Sequence, residues 1–404
     1  MQTFTKEYTY QASDVDSKVT SRAIALNQVT SLLLKEIGVY IQSEFKDKSS
    51  NKSPDEVSRE ITTLTAGVVT ANVIDEKWDG KTYWLKAEVK ADPDEVAKKV
   101  DEFRGDKQKS KELEELRKRQ DESNKEIARL RKELESGKAD KAKTAEYNTA
   151  VDSLSAADWF KKGYAAGMAG HHEDAISAFS KAIELDPKYG KTYGNRGVVY
   201  ANIGNHQQAI RDYDKAIELE PKYATTYYNR GNAYNDLGNY QQAIRDFDKA
   251  IELDPKLTVA YDNRGYSYDK LGNDQQAIKD FDKAIELEPT ARRYISRGIA
   301  YNNLNNYQQA IKDFDKAIGL DPKHAFAYNN RGFTYFRLGN LQQAINDFDK
   351  AIEFDPKFSL PYTNRGNAYF KLGNRQQAIK DWQVAARLGH KGAQDHLQSQ
   401  GISW

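Results

Sequence analysis

The sequence of 404 residues contains no cysteine. Disulfides, cysteine-based zinc sites and thiol catalysis are therefore excluded, and the redox compartment stays open. The charge is also without bias, because 61 lysines and arginines stand against 60 aspartates and glutamates. A nucleic-acid partner or an acidic membrane surface would favour a basic excess. We expect neither kind of partner.

Long hydrophobic runs are missing as well. No stretch approaches the roughly 18 apolar residues of a membrane-spanning helix, so we expect no membrane span. The N-terminus, MQTFTKEYTYQASD, lacks the basic and apolar regions of a signal peptide. Two locations follow. The protein is periplasmic or outer-membrane-associated if the chain begins after a removed signal, and cytoplasmic otherwise.

The sequence lacks the motifs of phosphate loops, zinc metalloproteases and serine hydrolases. The run His171-His172-Glu173-Asp174 resembles a ligand cluster, but it falls on the turn between two predicted helices and is interpreted as solvated. We therefore expect no enzyme, no cofactor and no metal site.

What the sequence does contain is an internal repeat. Glycines recur with a period of 34 residues and a single step of 33, and each is followed twelve residues later by an alanine. They are Gly163, Gly197, Gly231, Gly265, Gly298, Gly332 and Gly366. Each unit predicts two helices that are separated at Leu-Gly-Asn, and one such hairpin cannot bury its apolar face alone. The units are expected to stack.

This pattern resembles the tetratricopeptide repeat over about residues 156–390. The matching residues of the third unit are Gly231, Tyr234, Ala243, Phe247, Ala250 and Pro255. The resemblance implies a mainly α fold, a right-handed α-solenoid of seven units. Residues 391–404 predict a capping helix and tail that cover the last apolar face.

The N-terminal part, 1–104, predicts a small β-α-β-β domain. Residues 3–10 are strand-like, a helix follows over about 14–45, and residues 61–92 predict a β-hairpin around Asp79-Gly80. The pieces SRAIALNQ, LTAGVV and EKWDGKTYWLKAEV resemble the FlgT/LPP20-like domain of bacterial envelope proteins. That resemblance implies a role at the bacterial envelope.

Residues 105–140 predict a charged helix, and 141–155 a flexible linker. The helix has an apolar seam with a/d spacing and a polar layer at Gln120 and Ser123. The seam residues are Leu113, Leu116, Ile127, Leu130 and Leu134. One alternative is a short coiled coil that dimerises the protein. The other is a single helix that acts as a spacer or folds back on its own domain.

The arginine that precedes each repeat glycine, such as Arg230, recurs with the period of the fold. We expect it to pack its stem between helices and to meet a carboxylate such as Asp246 of the same unit. The recurring carboxylates are interpreted in the same way, as surface or paired groups rather than general acids or bases.

The tetratricopeptide resemblance also implies a groove that binds a peptide or a partner helix, lined by unit positions 2, 5, 6, 9, 12 and 13. Asparagine recurs at position 6, and these amides can bond a peptide backbone, or only each other and water. The predicted polar groove residues are Asn195, Asn229, Asn232, Asn263, Asn330 and Asn364. Three of the five positions of the family's carboxylate clamp are matched, by Asn232, Asn263 and Arg292. Tyr228 and Ser296 replace its other two basic residues, so chaperone-tail binding is not predicted.

In repeats 6 and 7 the groove positions hold five apolar side chains, hereafter the apolar wall. They are Phe326, Phe333, Phe336, Leu360 and Phe370. Stacking alone does not require so many, so they predict a pocket for a hydrophobic partner residue. The alternative is that the C-terminal helix covers them.

The sequence therefore predicts a non-enzymatic interaction scaffold or adaptor in bacterial envelope assembly. The alternative function is a self-assembling structural protein that uses solenoid faces or the heptads.

Overall fold

The computed structural model describes residues 2–14, 16–44, 61–66, 68–105, 107–136 and 141–404. The chain divides into two compact units, Met1–Pro221 and Lys222–Trp404. Each unit is described by itself.

The first unit begins with a three-stranded antiparallel sheet. Strands β1 (Gln2–Gln11), β2 (Asn72–Trp78) and β3 (Thr82–Ala91) lie in the order β1-β3-β2. The central strand β3 buries alternate side chains, as its sequence pattern predicts. Helix α1 (Lys18–Glu44) packs on β1 and β3. The predicted β-α-β-β order is confirmed.

The β-hairpin is shorter than predicted. Its turn lies at Asp79-Gly80, where Gly80 has φ +97°, but its first strand starts at residue 72 and residues 61–65 are helical. Ile61 and Leu64, three residues apart, are both 1% exposed, and Thr65 Oγ1 donates to the Ile61 carbonyl at 2.7 Å. An i, i+3 apolar pair belongs to a helix face, which the β-branched composition of the segment obscured.

Three helices follow the sheet: α2 (Pro93–Gly105), α3 (Lys107–Glu135) and α4 (Lys141–Met168). The prediction of a flexible linker at 141–155 is wrong, because these residues form the first half of α4. Their buried side chains, Tyr147, Ala150, Val151 and Leu154, recur with helical spacing and pack in the core of the unit. Residues 137–140 of the predicted charged segment, and Phe45 at the end of the first predicted helix, lie outside the described residues.

The seam of α3 is filled by its own chain. All five seam residues are 1–6% exposed and share one hydrophobic cluster with α1 and α4. The polar layer is matched as well, since Gln120 Nε2 donates to Asp158 Oδ1 at 3.1 Å and Ser123 Oγ lies 3.4 Å from Ser153 Oγ. Of the alternatives left open by the sequence, the structure has the helix that folds back on its own domain.

The repeats are helix pairs with nearly constant lengths. Repeat 1 consists of the second half of α4 with α5 (His172–Leu185), and repeat 2 of α6 (Gly190–Asn202) with α7 (His206–Leu219). In the second unit, repeats 3 to 5 are α8 (Ala224–Asp236) with α9 (Tyr240–Leu253), α10 (Thr258–Lys270) with α11 (Asp274–Leu287), and α12 (Ala291–Asn303) with α13 (Tyr307–Leu320). Repeats 6 and 7 are α14 (Ala325–Arg337) with α15 (Leu341–Phe354) and α16 (Ser359–Lys371) with α17 (Arg375–Arg387), followed by α18 (Lys391–Ser399).

The turn inside each repeat requires a left-handed residue. Gly238 has φ +73°, as predicted from its place after the helix end. In repeat 5 the same position is Asn305, with φ 59°. Asparagine tolerates this conformation better than other non-glycine residues, so the repeat keeps its turn.

The first-helix glycine of each repeat lies under an aromatic ring of the second helix. A Cβ on Gly298 would stand 2.7 Å from Phe314 Cε1, a separation that real contacts do not reach. Gly319, also in a helix of repeat 5, has nothing within 4 Å of its Cβ position. The recurring glycine therefore permits close helix packing, whereas Gly319 has no such role.

We expect opposite effects from alanine at these two glycines. Gly298→Ala should lower the free energy of unfolding by about 1–3 kcal/mol through overpacking. Gly319→Ala, the matched control, should raise it by about 0.5–1 kcal/mol, because alanine favours the helix. Urea denaturation followed by circular dichroism measures both. Equal effects of the two substitutions would contradict the packing role assigned to Gly298.

Candidate functional site

The recurring arginines hold the second helix of their own repeat. In repeat 4, Arg264 Nε donates to Asp280 Oδ2 at 2.9 Å and Arg264 Nη2 to Asp280 Oδ1 at 2.6 Å. This two-point contact fixes both side chains. The same contact joins Arg196 to Asp212, Arg230 to Asp246, Arg297 to Asp313, Arg331 to Asp347 and Arg365 to Asp381. The predicted structural role of these arginines is confirmed.

In repeats 4 to 7 the same guanidinium also reaches the preceding repeat. Arg331 Nη1 donates to Asp315 Oδ1 of repeat 5 at 2.6 Å, and Arg264 contacts Asp248 in the same way. Burial raises the pKa of Asp347 above its usual value, against the opposing effect of the Arg331 charge. These carboxylates are thus committed to contacts between helices and repeats.

Two asparagines of the predicted groove donate to their own helix. Asn195 Nδ2 donates to the Lys191 carbonyl at 3.0 Å, and Asn330 Nδ2 to the Phe326 carbonyl at 2.7 Å. Each contact reaches one helical turn back. These amides therefore cap backbone oxygens of their own first helix.

Two further asparagines connect neighbouring first helices. Asn263 Nδ2 donates to Asn232 Oδ1 at 2.7 Å and lies 3.3 Å from the Tyr228 hydroxyl. Asn364 Nδ2 donates to Asn329 Oδ1 at 3.0 Å. Four of the five asparagines at position 6 therefore donate to other groups of their own chain, and their contact with a peptide backbone stays a prediction. The fifth, Asn229, is half-buried.

The five residues of the apolar wall fall into two groups. Phe333 and Phe336 are half-buried and pack against the hydrophobic cluster of their own repeat. Phe326 and Phe370 are 42% and 55% exposed, and Leu360 is half-buried. Truncating Phe333 or Phe336 would disturb the fold as well as the surface, so Phe326 and Phe370 are the residues that report on binding.

The C-terminal helix α18 packs on the end of the array without burying Phe370. Its Ala393 and Leu397 join a cluster around Trp382, as predicted for a capping helix. The Trp382 ring lies 4.6 Å from the His396 ring and 5.7 Å from the Phe370 ring, centre to centre. Contact with Trp382 covers one side of Phe370 and leaves over half of the residue exposed.

Two cations lie over the apolar wall. The Lys371 Nζ is 4.2 Å from the centre of the Phe336 ring. The Arg337 guanidinium is 5.9 Å from Phe333 and 5.6 Å from the Tyr307 ring of repeat 5. Within the residues that the structure describes, neither cation forms an ion pair. Both occupy position 13, one of the groove positions, but neither is among the predicted site residues.

In the first unit, helix α3 contacts the corresponding positions of repeats 1 and 2. Lys161 stands at position 6 of repeat 1, where most repeats have asparagine, and its Nζ donates to Gln120 Oε1 at 2.7 Å. Lys191, at position 2 of repeat 2, is 8% exposed and forms an ion pair with Glu115. In the sequence, only the lysine in place of asparagine at position 6 of repeat 1 indicates this contact. In repeats 1 and 2, these two groove positions are taken by the chain itself.

A cavity of about 280 Å³ lies beside Lys161, between α1 and α3. Its wall includes the polar side chains of Asn27 and Gln120 and the apolar side chain of Leu116. Burial lowers the pKa of Lys161 and raises the pKa of Asp158, whose Oδ1 is 3.8 Å from the lysine Nζ. The sequence contains no motif that predicts a ligand for this cavity.

Family models of the tetratricopeptide repeat match most of the helical array. The matched segments are 156–189, 190–223, 224–257, 260–290, 291–324, 325–358 and 348–380. Together they span more than half of the chain. The chain belongs to the tetratricopeptide repeat family. The predicted resemblance of 156–390 is thereby confirmed.

Solved structures of other tetratricopeptide repeat proteins are similar to this array. YrrB, described as a TPR protein with an unusual peptide-binding site, is 30% identical; the match covers 46% of this chain and 97% of YrrB, with a TM-score of 0.42. MamA is 30% identical, over 42% of this chain and 93% of MamA, with a TM-score of 0.40. A tetratricopeptide repeat protein from Parabacteroides merdae ATCC 43184 is 23% identical, over 60% and 97%, with a TM-score of 0.50. No curated protein shows a significant match.

The described residues contain neither a candidate membrane span nor a candidate metal site. Among them, none of the helices combines the length and apolar character that crossing a bilayer requires. The same residues contain no group of three or more histidines, aspartates or glutamates placed to hold a metal ion.

Proposed function

We propose that this tetratricopeptide repeat protein is a non-enzymatic scaffold that binds a partner segment along the first helices of repeats 3 to 7. The exposure of Phe326 and Phe370 carries the proposal. Two large aromatic side chains that remain 42% and 55% exposed at groove positions are available to anchor a partner. The peptide-binding site described for YrrB supports the same kind of ligand.

The proposal assigns no catalytic role to the recurring carboxylates. Asp280 is held by Arg264, and Asp248 meets the same guanidinium. A general acid or base must be free to meet a substrate, whereas these groups are engaged in holding repeats together. The bacterial envelope is the proposed place of action, on the resemblance of the N-terminal domain to the FlgT/LPP20-like group.

Self-assembly through the heptads is the weaker reading. Leu116 and Leu130 are each 1% exposed in the core of their own unit, so pairing of two seams would require that core to open. Association through solenoid faces would not require the core to open. It would place a second copy, rather than another protein, on the apolar wall.

Site-specific photo-crosslinking tests the proposed function. A benzophenone amino acid is introduced at Tyr266 or Phe370, groove positions that are 45% and 55% exposed, and irradiated in extract of the source organism. Leu271 and Leu372, turn residues that are 46% and 52% exposed, are the matched controls. We expect one protein, identified by mass spectrometry, to be captured from both groove positions and from neither turn.

The same experiment distinguishes the possible partners. A product of twice the chain mass would identify a second copy and support the self-assembly alternative over the adaptor. Equal capture from groove and turn positions, or capture from neither groove position, would contradict the proposed function.

A further inference from the structure

The chemistry of the apolar wall indicates the kind of segment that it binds, an inference that rests on the proposed function. We propose that repeats 6 and 7 bind a segment in which an aromatic or large aliphatic side chain stands next to acidic side chains. The wall supplies the apolar contact. Arg337 and Lys371 supply the charge.

Among the residues that the structure describes, Arg337 and Lys371 have no carboxylate partner, unlike the arginines of the recurring Arg-Asp pairs. Each Arg-Asp pair of the fold satisfies its guanidinium, as Arg331 and Asp347 show with two bonds of 2.7–2.8 Å. In the described part of the chain, the one hydrogen bond of the Arg337 side chain goes to a neutral group, since its Nη2 donates to Asn305 Oδ1 at 3.3 Å. Contact with a ring attracts a cation without neutralising its charge. A carboxylate of a partner would therefore add a charge-assisted hydrogen bond.

The two cations are one repeat apart and stand at the same unit position. The equivalent residues of repeats 3 and 5 are Asp236 and Asn303, and in repeat 4 the Lys270 ammonium already lies 3.8 Å from the Asp269 carboxylate. Lys270 also lies over a ring, 5.0 Å from the centre of Tyr266, but it has this acidic neighbour, whereas the two cations of repeats 6 and 7 have none among the described residues. An acidic segment is favoured beside those two cations and disfavoured beside Asp236 and Asp269.

Phe326 and Phe336 provide the apolar contact. Phe326 stacks on Phe358 with ring centres 6.2 Å apart and remains 42% exposed. Phe336, whose ring centre is 4.2 Å from Lys371 Nζ, is half-buried, and an apolar side chain can contact its exposed part. A segment with only acidic residues would miss this contact, and one with only apolar residues would leave the cations unpaired.

Fluorescence anisotropy with three labelled peptides tests the proposal on the full chain. The probe is GSEDEFDELGSG. One comparison peptide replaces its acidic residues by lysine, and the other replaces its phenylalanine and leucine by alanine. We expect the probe to bind at least 10-fold more tightly than either comparison, and its affinity to fall as sodium chloride rises from about 50 to 300 mM.

Charge reversal locates the site. Arg337→Glu with Lys371→Glu should weaken binding of the probe at least 10-fold. Lys323→Glu with Lys357→Glu is the matched control, because these exposed lysines are also one repeat apart and the net charge changes equally. Thermal midpoints of both variants should stay close to that of the parent protein.

The inference is overturned if the lysine peptide binds as tightly as the probe, or if the two double reversals have equal effects. These outcomes leave the proposed function standing whenever groove positions still capture a partner by photo-crosslinking. Loss of capture at the groove positions overturns both.

Discussion

Replacing Arg331 by methionine is expected to lower the free energy of unfolding of repeats 5 and 6 by about 3–5 kcal/mol. The substitution keeps the apolar stem but leaves the Asp347 carboxylate, 8% exposed, without its partner. It also removes the contact with Asp315 of the preceding repeat. Because stacked repeats depend on their neighbours, hydrogen exchange of peptides from both repeats should accelerate together.

The effect of Arg331→Met should depend on pH. Burial already raises the pKa of Asp347 in the folded protein, and removing the facing positive charge raises it further. A carboxyl with a raised folded pKa contributes stability that is present at low pH and lost as pH rises through that pKa. The free energy of unfolding of the variant should therefore fall furthest below that of the parent protein at pH 7–8. The difference should become smaller as pH falls toward about 5.

Asp315→Asn is the control for this prediction. The Asp315 side chain is 51% exposed, so its ion pair with Arg331 should contribute only about 0–1 kcal/mol. Two results would contradict the stabilising role of the Arg331-Asp347 pair. One is an equal loss of unfolding free energy in Arg331→Met and Asp315→Asn, and the other is a loss in Arg331→Met that does not change with pH.

Introducing aspartate at Leu130 is expected to unfold much of the first unit. Leu130 is 1% exposed in the cluster shared by α1, α3 and α4. A carboxylate at this site would lose its hydration without gaining a partner, and the volume of a leucine would be lost. We expect the free energy of unfolding of the first unit to fall by about 4–5 kcal/mol or more. Thermal denaturation should then show a transition at a lower temperature than in the parent protein.

Ala128→Asp on the same helix provides the control, because Ala128 is exposed. It should change stability by no more than about 0.5 kcal/mol. Light scattering separates the two interpretations of the seam. If the parent protein were a dimer and Leu130→Asp a folded monomer, the seam would be an interface between chains rather than a core within one.

The repeats could be predicted from sequence because every unit forms the same helix contacts with the same residue types at the same positions. Gly298 must lie under Phe314, and Arg331 must meet Asp347, so the residues recur with the fold. The turn within repeat 5 keeps the same left-handed conformation, with Asn305 in place of glycine. Because the helix contacts recur with each repeat, the residues that form them recur in the sequence with the same period.

Features that occur once leave no such signal. Residues 141–155 have helical spacing at Tyr147, Val151 and Leu154, but their charged and small neighbours favoured a linker. The a/d spacing of α3 was recognised, yet spacing alone does not show whether the covering helix belongs to the same chain or to another. Pairing of Gln120 with Asp158 depends on tertiary contacts 38 residues apart.

The candidate site could be predicted only in part. The apolar side chains of repeats 6 and 7 were evident as departures from the repeat. Their division into supporting residues, Phe333 and Phe336, and exposed ones, Phe326 and Phe370, required the packing of neighbouring helices. Arg337 was missed because an isolated basic residue in a helical sequence is ordinary, and only its place over Phe333 distinguishes it.

The most direct test of the central claim is the affinity of the photo-crosslinked partner for two matched double variants. Phe326→Ala with Phe370→Ala removes the exposed rings of the apolar wall, and we predict a loss of at least 10-fold, about 1.4 kcal/mol. Leu304→Ala with Leu372→Ala removes turn leucines that are 42% and 52% exposed, and we predict unchanged affinity. Equal affinities for the two variants would contradict the claim that the apolar wall binds the partner.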